Sequence, residues 1–182
     1  MGEARTPDKV MMVLAAFSQD EAALEWSLQR AEAAWGKTAL RSPVFQFTET
    51  DYYTPSMGSP LLKSLWAFER PANAEELAAW KHQTNSWEIE FAQTNAGNVV
   101  RPLNLDPGYL TLGKLVLAST KDHAHRIYLR RGIYAEVTLG YRKRRWHHWE
   151  WTYPDYRRQD VQGFLDECRD YLQRILLPAS LR

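Results

Sequence analysis

Apolar positions change period several times along the chain. Residues 9–17 (KVMMVLAAF) are almost continuously apolar, the mark of a strand buried on both faces. After Ser18, with Glu21 three positions on as in a capping box, Leu24, Leu28, Ala31 and Trp35 recur at helical spacing, and Gly36 supplies a stop. Residues 42–50 alternate, with Phe45 and Phe47 on one face, which predicts a strand. Residues 51–60 hold two prolines and a glycine and read as a loop, and 61–69 (LLKSLWAFE) as a strand. Asn73 and Glu76 form a second capping signature, and Leu77, Trp80, Thr84, Trp87 and Phe91 then line one face of a long helix. Asn95, Gly97 and Asn98 end that helix. Residues 99–105 return as a strand, with Pro102 marking an edge or a bulge.

This order is βαββαβ, the ferredoxin-like pattern, with both helices on one face of an antiparallel sheet. Residues 110–119 fit either a short helix or a buried strand, with a lean to helix. Residues 126–129 and 133–141 predict a hairpin about Arg130, Arg131 and Gly132, and 146–151 a further strand. Val161, Phe164, Leu165, Cys168, Leu172 and Ile175 line one face of a last helix, stopped by Pro178. The expected fold class is α+β with a mainly antiparallel sheet. A ferredoxin-like core over 1–108 is followed by a hairpin or meander and a C-terminal helix over 109–182. At 182 residues the whole reads as a single domain.

The hairpin register follows from its pattern. With a three-residue loop at 130–132, Leu129 faces Ile133, Tyr128 faces Tyr134, Ile127 faces Ala135 and Arg126 faces Glu136. One face is then apolar, from Ile127 and Leu129 to Ile133, Ala135, Val137 and Leu139. The other carries Arg126, Tyr128, Tyr134, Glu136 and Thr138. On a solvated face, Arg126 and Glu136 make a cross-strand pair worth about 0.2–1 kcal/mol.

Composition narrows the class. Hydrophobic residues are 45% and charged ones 25%, ordinary for a globular protein. No apolar run approaches a membrane span of roughly 20 residues, and the first residues (MGEARTPDK) lack a signal-peptide pattern, so the expected setting is the cytoplasm with no membrane partner. The single Cys168 excludes an intrachain disulfide and an all-cysteine metal site, and on its apolar stripe it reads as a core thiol. Lysine plus arginine number 23 against 22 acidic residues, yet residues 121–158 hold ten of the former and four of the latter. Three tryptophans, at 146, 149 and 151, lie in that stretch. A basic, aromatic region attracts anions, nucleic acid among them.

Three polar segments fall at predicted strand ends, where α+β proteins build sites. They are Arg101, Asn104 and Asp106; Ser119, Thr120, Lys121, Asp122, His125 and Arg126; and Tyr153, Asp155 and Tyr156. The face of Tyr134, Glu136 and Thr138 completes the set. Lys121, Arg126 and Arg101 suit an anion, Glu136 or Asp106 a general acid or base, His125 a second titrating group, and Tyr128 and Tyr134 a stacked ligand. The expectation is a site for a phosphorylated or nucleotide-like small molecule, with no reaction specified. The alternatives are a nucleic-acid module using the basic 142–151 hairpin and a plain protein-interaction domain.

Other motifs fall short. Gly108 to Gly113-Lys114 has P-loop spacing, but Leu115 stands where a magnesium-binding Ser or Thr is required. Thr120-Lys121-Asp122 approaches a guanine-reading motif but continues with His123. His123 and His125, with Asp122, Asp106 and Glu136, are types a divalent metal would use, though no metal site is assigned and the cofactor is open. Asp106-Pro107-Gly108 reads as a turn, and residues 153–156 as the approach to the last helix with Asp155 near its positive end.

Segments 47–53 (FTETDYY) with Met57-Gly58, 104–110 (NLDPGYL), 117–129 (LASTKDHAHRIYL), 132–139 (GIYAEVTL) and 151–157 (WTYPDYR) together resemble the bacterial domain-of-unknown-function family DUF4416. The resemblance implies no defined activity. Some members carry a GTP-binding label, which the near-misses above do not support by themselves. Residues 141–148 (YRKRRWHH) are more basic than the family pattern.

Overall fold

The computed structural model describes residues 2–95 and 99–176. Gly97, Asn98 and Pro178, read above as helix stops, lie outside the described residues. The strands are β1 (Met11–Ser18), β2 (Thr38–Arg41), β3 (Phe45–Phe47), β4 (Leu61–Phe68), β5 (Leu103–Leu110), β6 (Lys114–Ser119), β7 (Ile127–Arg130), β8 (Ile133–Arg142) and β9 (Arg145–His148). The helices are α1 (Glu21–Trp35), α2 (Thr54–Met57), α3 (Leu77–Thr94) and α4 (Gln159–Leu176). The fold is α+β. One antiparallel sheet runs β2-β4-β1-β5-β6-β8-β7, with β3 beside β4 and β9 beside β8.

The continuous apolar run at β1 reflects its place between β4 and β5, with every residue buried. Met12, Leu14 and Ala16 pack with α1 and α3, through Leu24, Leu28, Trp80 and Trp87. Met11, Val13 and Ala15 pack on the other face with Phe164, Leu165, Cys168 and Leu172 of α4. A third cluster, Phe17, Phe47, Met57 and Leu61, closes one end of the sheet. Among the described residues no helix is long and apolar enough to cross a membrane.

Several local expectations are corrected. The α1 cap is Asp20, whose Oδ1 accepts the Ala22 N–H at 2.8 Å; Ser18 instead ends β1 and donates to the Pro102 carbonyl at 2.6 Å. The strand expected over 42–50 shortens to β3, and β2, which the pattern did not predict, precedes it across Pro43, a residue with no N–H. The 51–60 loop contains α2. A 3₁₀ turn (Ala74–Glu76) precedes α3, and Asn73 bonds the Glu76 side chain at 3.0 Å instead of capping the backbone. Residues 110–119 are not helix: β6 buries Leu115 and Leu117 on the α4 face and Val116 and Ala118 on the other, so a run apolar at every position is a central strand. The strand expected over 146–151 is β9, and Ile175 of α4 is exposed.

The hairpin keeps two expected pairs, Ile127 with Ala135 and Tyr128 with Tyr134, but Leu129 is bulged and Arg130 meets Ile133. Ile127 and Leu129 are exposed, because β7 is an edge strand extending past the helices. A second bulge shifts β6 against β8: Val116 pairs with Val137 and Leu115 with Leu139. Thr138 is the extra residue, so Leu139 lies on the α4 face, opposite Val137, and the expected single apolar face is broken there.

Candidate functional site

The sheet parts at the segment read as a turn. Asp106-Pro107-Gly108 is no turn: it lies within β5, opposite Ala15, Leu14 and Val13 of β1. Leu105 donates its N–H to Glu88 Oε1 and accepts Lys81 Nζ on its carbonyl, both at 2.7 Å. These groups point away from β1, where a neighbouring strand would bond. The next residue of the same parity, Pro107, has no N–H to give Ala118. The ladder from β6 accordingly ends at Gly108–Leu117. Gly108 lets the strands close there, since a Cβ would collide with the Val116 carbonyl and lie 2.6 Å from Leu117 Cδ2. Beyond this point β5 and β6 diverge, and α3 side chains take the backbone bonds of the missing neighbour.

The divergence opens a cleft of about 100 Å3 on the α4 side. Its walls carry five cations, Lys63, Lys81, Arg101, Lys121 and Arg126, and three carboxylates, Asp106, Glu136 and Asp155. Phe17, Phe47, Tyr53 and Tyr156 form the aromatic part of the lining, and Asn104, Ser119, Thr120 and Tyr153 the neutral polar part.

Each carboxylate holds a cation. Lys63 Nζ lies 2.6 Å from Asp155 Oδ2, the residues being 3% and 1% exposed, and it faces the rings of Phe17, Phe47 and Tyr156 at 5.3, 4.9 and 4.8 Å. Asp155 is thus a partner of the sheet and not only a residue at the head of the last helix. Lys81 reaches Asp106 Oδ1 at 3.1 Å, while Asn104 donates to Asp106 Oδ2 at 2.7 Å. Burial works to raise the Asp106 carboxyl, but Lys81 and Lys63, with the bonds from Lys81 and Asn104, outweigh it and hold it below the usual range. Arg101 donates to Glu88 at 2.9 Å and to Asn104. Burial works against the Arg101 charge, and Glu88, Asp106 and Tyr53 more than compensate, raising its pKa.

The expected surface pair of Arg126 and Glu136 is buried instead, with side chains 4% and 3% exposed. Glu136 Oε2 accepts from Arg126 Nε at 2.9 Å and meets His125 Nε2 at 3.2 Å, and Thr138 donates to Oε1 at 3.3 Å. Arg126 Nη1 also donates to Ser119 Oγ at 2.7 Å and the Lys121 carbonyl at 3.1 Å. Lys121, at the mouth, donates to Tyr52 Oη at 2.8 Å and is in no ion pair among the described residues. Burial raises the Tyr53 and Tyr156 hydroxyls. Tyr156 lines the cleft, and its buried Oη has no hydrogen-bond partner among the described residues.

Of the residues expected in one site, Arg101, Asn104, Asp106, Ser119, Thr120, Lys121, Arg126, Glu136, Tyr153, Asp155 and Tyr156 come together. Four do not reach the cleft: Asp122, His125, Tyr134 and Thr138. His125 stands behind Glu136, stacked on Trp151 at 5.1 Å. Thr138 is wholly buried beneath Glu136. Tyr134 lies outside, edge-on to Tyr128 at 5.3 Å. His123 packs edge-on against His125, and no group of three or more metal-ligating side chains occurs among the described residues.

Lys63, Lys81, Tyr53 and the supporting Glu88 were not anticipated. Their signals are a lysine inside the apolar run LLKSLWAF, and Lys81 and Glu88 seven residues apart, each just after a tryptophan of the buried α3 stripe. Two helical turns separate them, so both reach the same stretch of β5.

Fold and site together define an α+β protein with an open antiparallel sheet and a cationic cleft where that sheet divides. A family model described as domain of unknown function (DUF4416) matches residues 8–171, and the chain belongs to this family. No curated protein and no solved structure matches the chain.

Proposed function

We propose that the cleft binds a small phosphorylated, nucleotide-like molecule through its anionic group. The reading rests on one observation above others: five cations and three carboxylates line one cleft together with Tyr156, whose buried hydroxyl has no partner among the described residues. A volume of about 100 Å3 admits one phosphate-sized group. The rest of the ligand lies at the mouth, against Thr120, Tyr153 and Tyr52. Lys121 and Arg101 meet the anion, Arg126 is held toward it by Glu136 and Ser119, and Tyr156 donates its O–H. Asp106 and Glu136 are the groups placed to move a proton, should the ligand be transformed. Lys63 and Lys81 are fixed by their carboxylates and make the floor polar, leaving Lys121 and Arg101 to meet the anion.

We also read the first half, ordered β2/β3-β4-β1-β5, as ferredoxin-like, and the reducing cytoplasm as the setting that suits the fully buried Cys168.

The test is a thermal-shift series with inorganic phosphate, sugar phosphates and nucleotides, with and without magnesium. A ligand at about 100 times its Kd stabilises by roughly 2.7 kcal/mol, a Tm rise of about 5–11 °C for a chain of this size. Lys121→Ala, a change at an exposed side chain, is expected to reduce that rise. No shift with any of these ligands, or an equal shift in the variant, overturns the proposal.

A further inference from the structure

We propose that the outer edge of the sheet, separately from the cleft, is a binding surface for single-stranded nucleic acid. Residues 134, 135, 139 and 140 of β8 pair with β6 on one side, and the same residues pair with β7 or β9 on the other. β7 and β9 therefore share one edge of β8, separated by the stretch 136–138. Residues 151 and 152 fill that interval: Trp151 Nε1 donates to the Val137 carbonyl at 3.4 Å and Thr152 Oγ1 to the Thr138 carbonyl at 2.7 Å. This fixes Trp151 at the edge, and two rings stack on it, His125 at 5.1 Å and 10° and Trp149 at 5.6 Å and 14°. Trp149 is 42% exposed, so the stack reaches the surface there.

The β8–β9 turn carries the charge. Arg142, Lys143, Arg144 and Arg145 are consecutive and exposed, and none of their side chains enters an ion pair or hydrogen bond among the described residues. In contrast, Arg101, Arg126 and Arg158 are each tied to a carboxylate. Lys143 and Arg144 occupy the two central turn positions at φ 52° and 61°, left-handed backbone that a two-residue hairpin turn requires and that Asn-Gly fills with least strain. Two cationic side chains thus occupy positions where the turn geometry favours Asn, Asp or Gly. The other hairpin turn also places a basic residue there, Arg131 at φ 52°, at the opposite end of β8. The ten-residue β8 sets the two basic turns about 33 Å apart, with the aromatic stack between them. Unpaired cations beside an exposed stacking platform match a strand with accessible bases better than an acidic protein, which has no use for the flat ring face.

Fluorescence anisotropy with labelled U12 RNA, dT12 DNA and a 12-base-pair duplex tests the proposal at 50 and 200 mM salt. Both single strands are expected to bind more tightly than the duplex. With four phosphates neutralised, affinity falls roughly 50-fold across that salt range. The double variant Lys143→Asn/Arg144→Gly is expected to melt at or above the wild-type temperature yet to lose roughly tenfold or more in affinity at 50 mM salt, with a salt slope smaller by about 1.4. Trp149→Ala is expected to weaken single-strand binding about fivefold or more. Because the turn variant relieves strain, weaker binding by it cannot be a failure to fold. Absence of binding at 50 mM salt, duplex binding as tight as single-strand binding, an unchanged slope in the turn variant, or displacement of the RNA by poly-glutamate at equal charge each overturns it.

Discussion

Removing the charge of Lys63 tests how the cleft floor is held. Lys63 and Asp155 lie 2.6 Å apart in the interior, on β4 and in the 3₁₀ turn that precedes α4. Lys63→Met keeps the length and apolar stem of the side chain among Phe17, Phe47 and Tyr156 but leaves a buried carboxylate unpaired. Breaking a buried pair from one side costs roughly 3–5 kcal/mol, because the surviving charge stays desolvated. At about 2–4 °C per kcal/mol for a chain of this size, Tm falls by roughly 6–20 °C. Asp155→Asn leaves the ammonium unpaired and has a cost of the same order. The double variant buries neither charge, and its remaining penalty is an incompletely bonded amide, about 1–3 kcal/mol. It is therefore expected to be more stable than either single variant. Urea denaturation of the four proteins, at constant m-value, measures the coupling. Additive losses, with the double variant least stable of all, would refute the view that desolvation of unpaired charge governs this site.

Two further outcomes follow from the same geometry. Tyr156→Phe removes a buried hydroxyl with no partner among the described residues, so the ligand-free protein is expected to gain up to about 1 kcal/mol in urea denaturation while its thermal response to phosphorylated ligands shrinks; lower stability with an undiminished response contradicts both halves. Asp106→Asn should show its largest deficit near neutrality: the folded carboxyl lies below its usual 3.8, so its stabilisation is complete above that value and is lost as pH falls through the lower folded value. The urea-midpoint gap between wild type and variant is then expected to narrow from about pH 5 to about pH 3, and a gap that widens refutes the assignment.

How far the sequence revealed the site depends on whether a residue acts locally. β1, α1, the α3 stripe and the α4 stripe were legible because hydrophobic period reports burial directly. The three polar segments could also be picked out, but the reason they meet could not: Asn104 and Asp106 lie inside β5, and it is the parting of β5 from β6 that exposes them. Asp106-Pro107-Gly108 was not. A proline and a glycine together carry turn statistics, and the feature that makes them strand residues is non-local: Pro107 faces a position from which β6 has already departed. The burial of Glu136 and Arg126 was hidden for a similar reason. Alternation assigns a face, but it does not say that residues 151–156, far along the chain, will cover that face.

The division of the cations follows from how the sheet opens. A strand torn from its neighbour leaves N–H and C=O groups that must be bonded. At Leu105, Lys81 and Glu88 from α3 bond them, so ionic groups are drawn into the interior by the backbone's own requirement. Once Lys81 is buried, Asp106 beside it is favoured as its counter-charge; Asn104 and Arg101 then bond the remaining oxygens of Asp106 and Glu88. The network that makes the floor polar is thus what terminates β-pairing, and Pro107 enforces the termination by withholding one donor. This accounts for the buried cations being paired, while cations outside any ion pair, such as Lys121 at the mouth and the four of the β8–β9 turn, lie at the surface. Paired charges at depth fix a shape and a potential; unpaired charges at the rim remain free to meet an anion. A ligand bound in the cleft should therefore show its salt dependence mainly through Lys121, a single charge, whereas a ligand on the outer edge should show that of several.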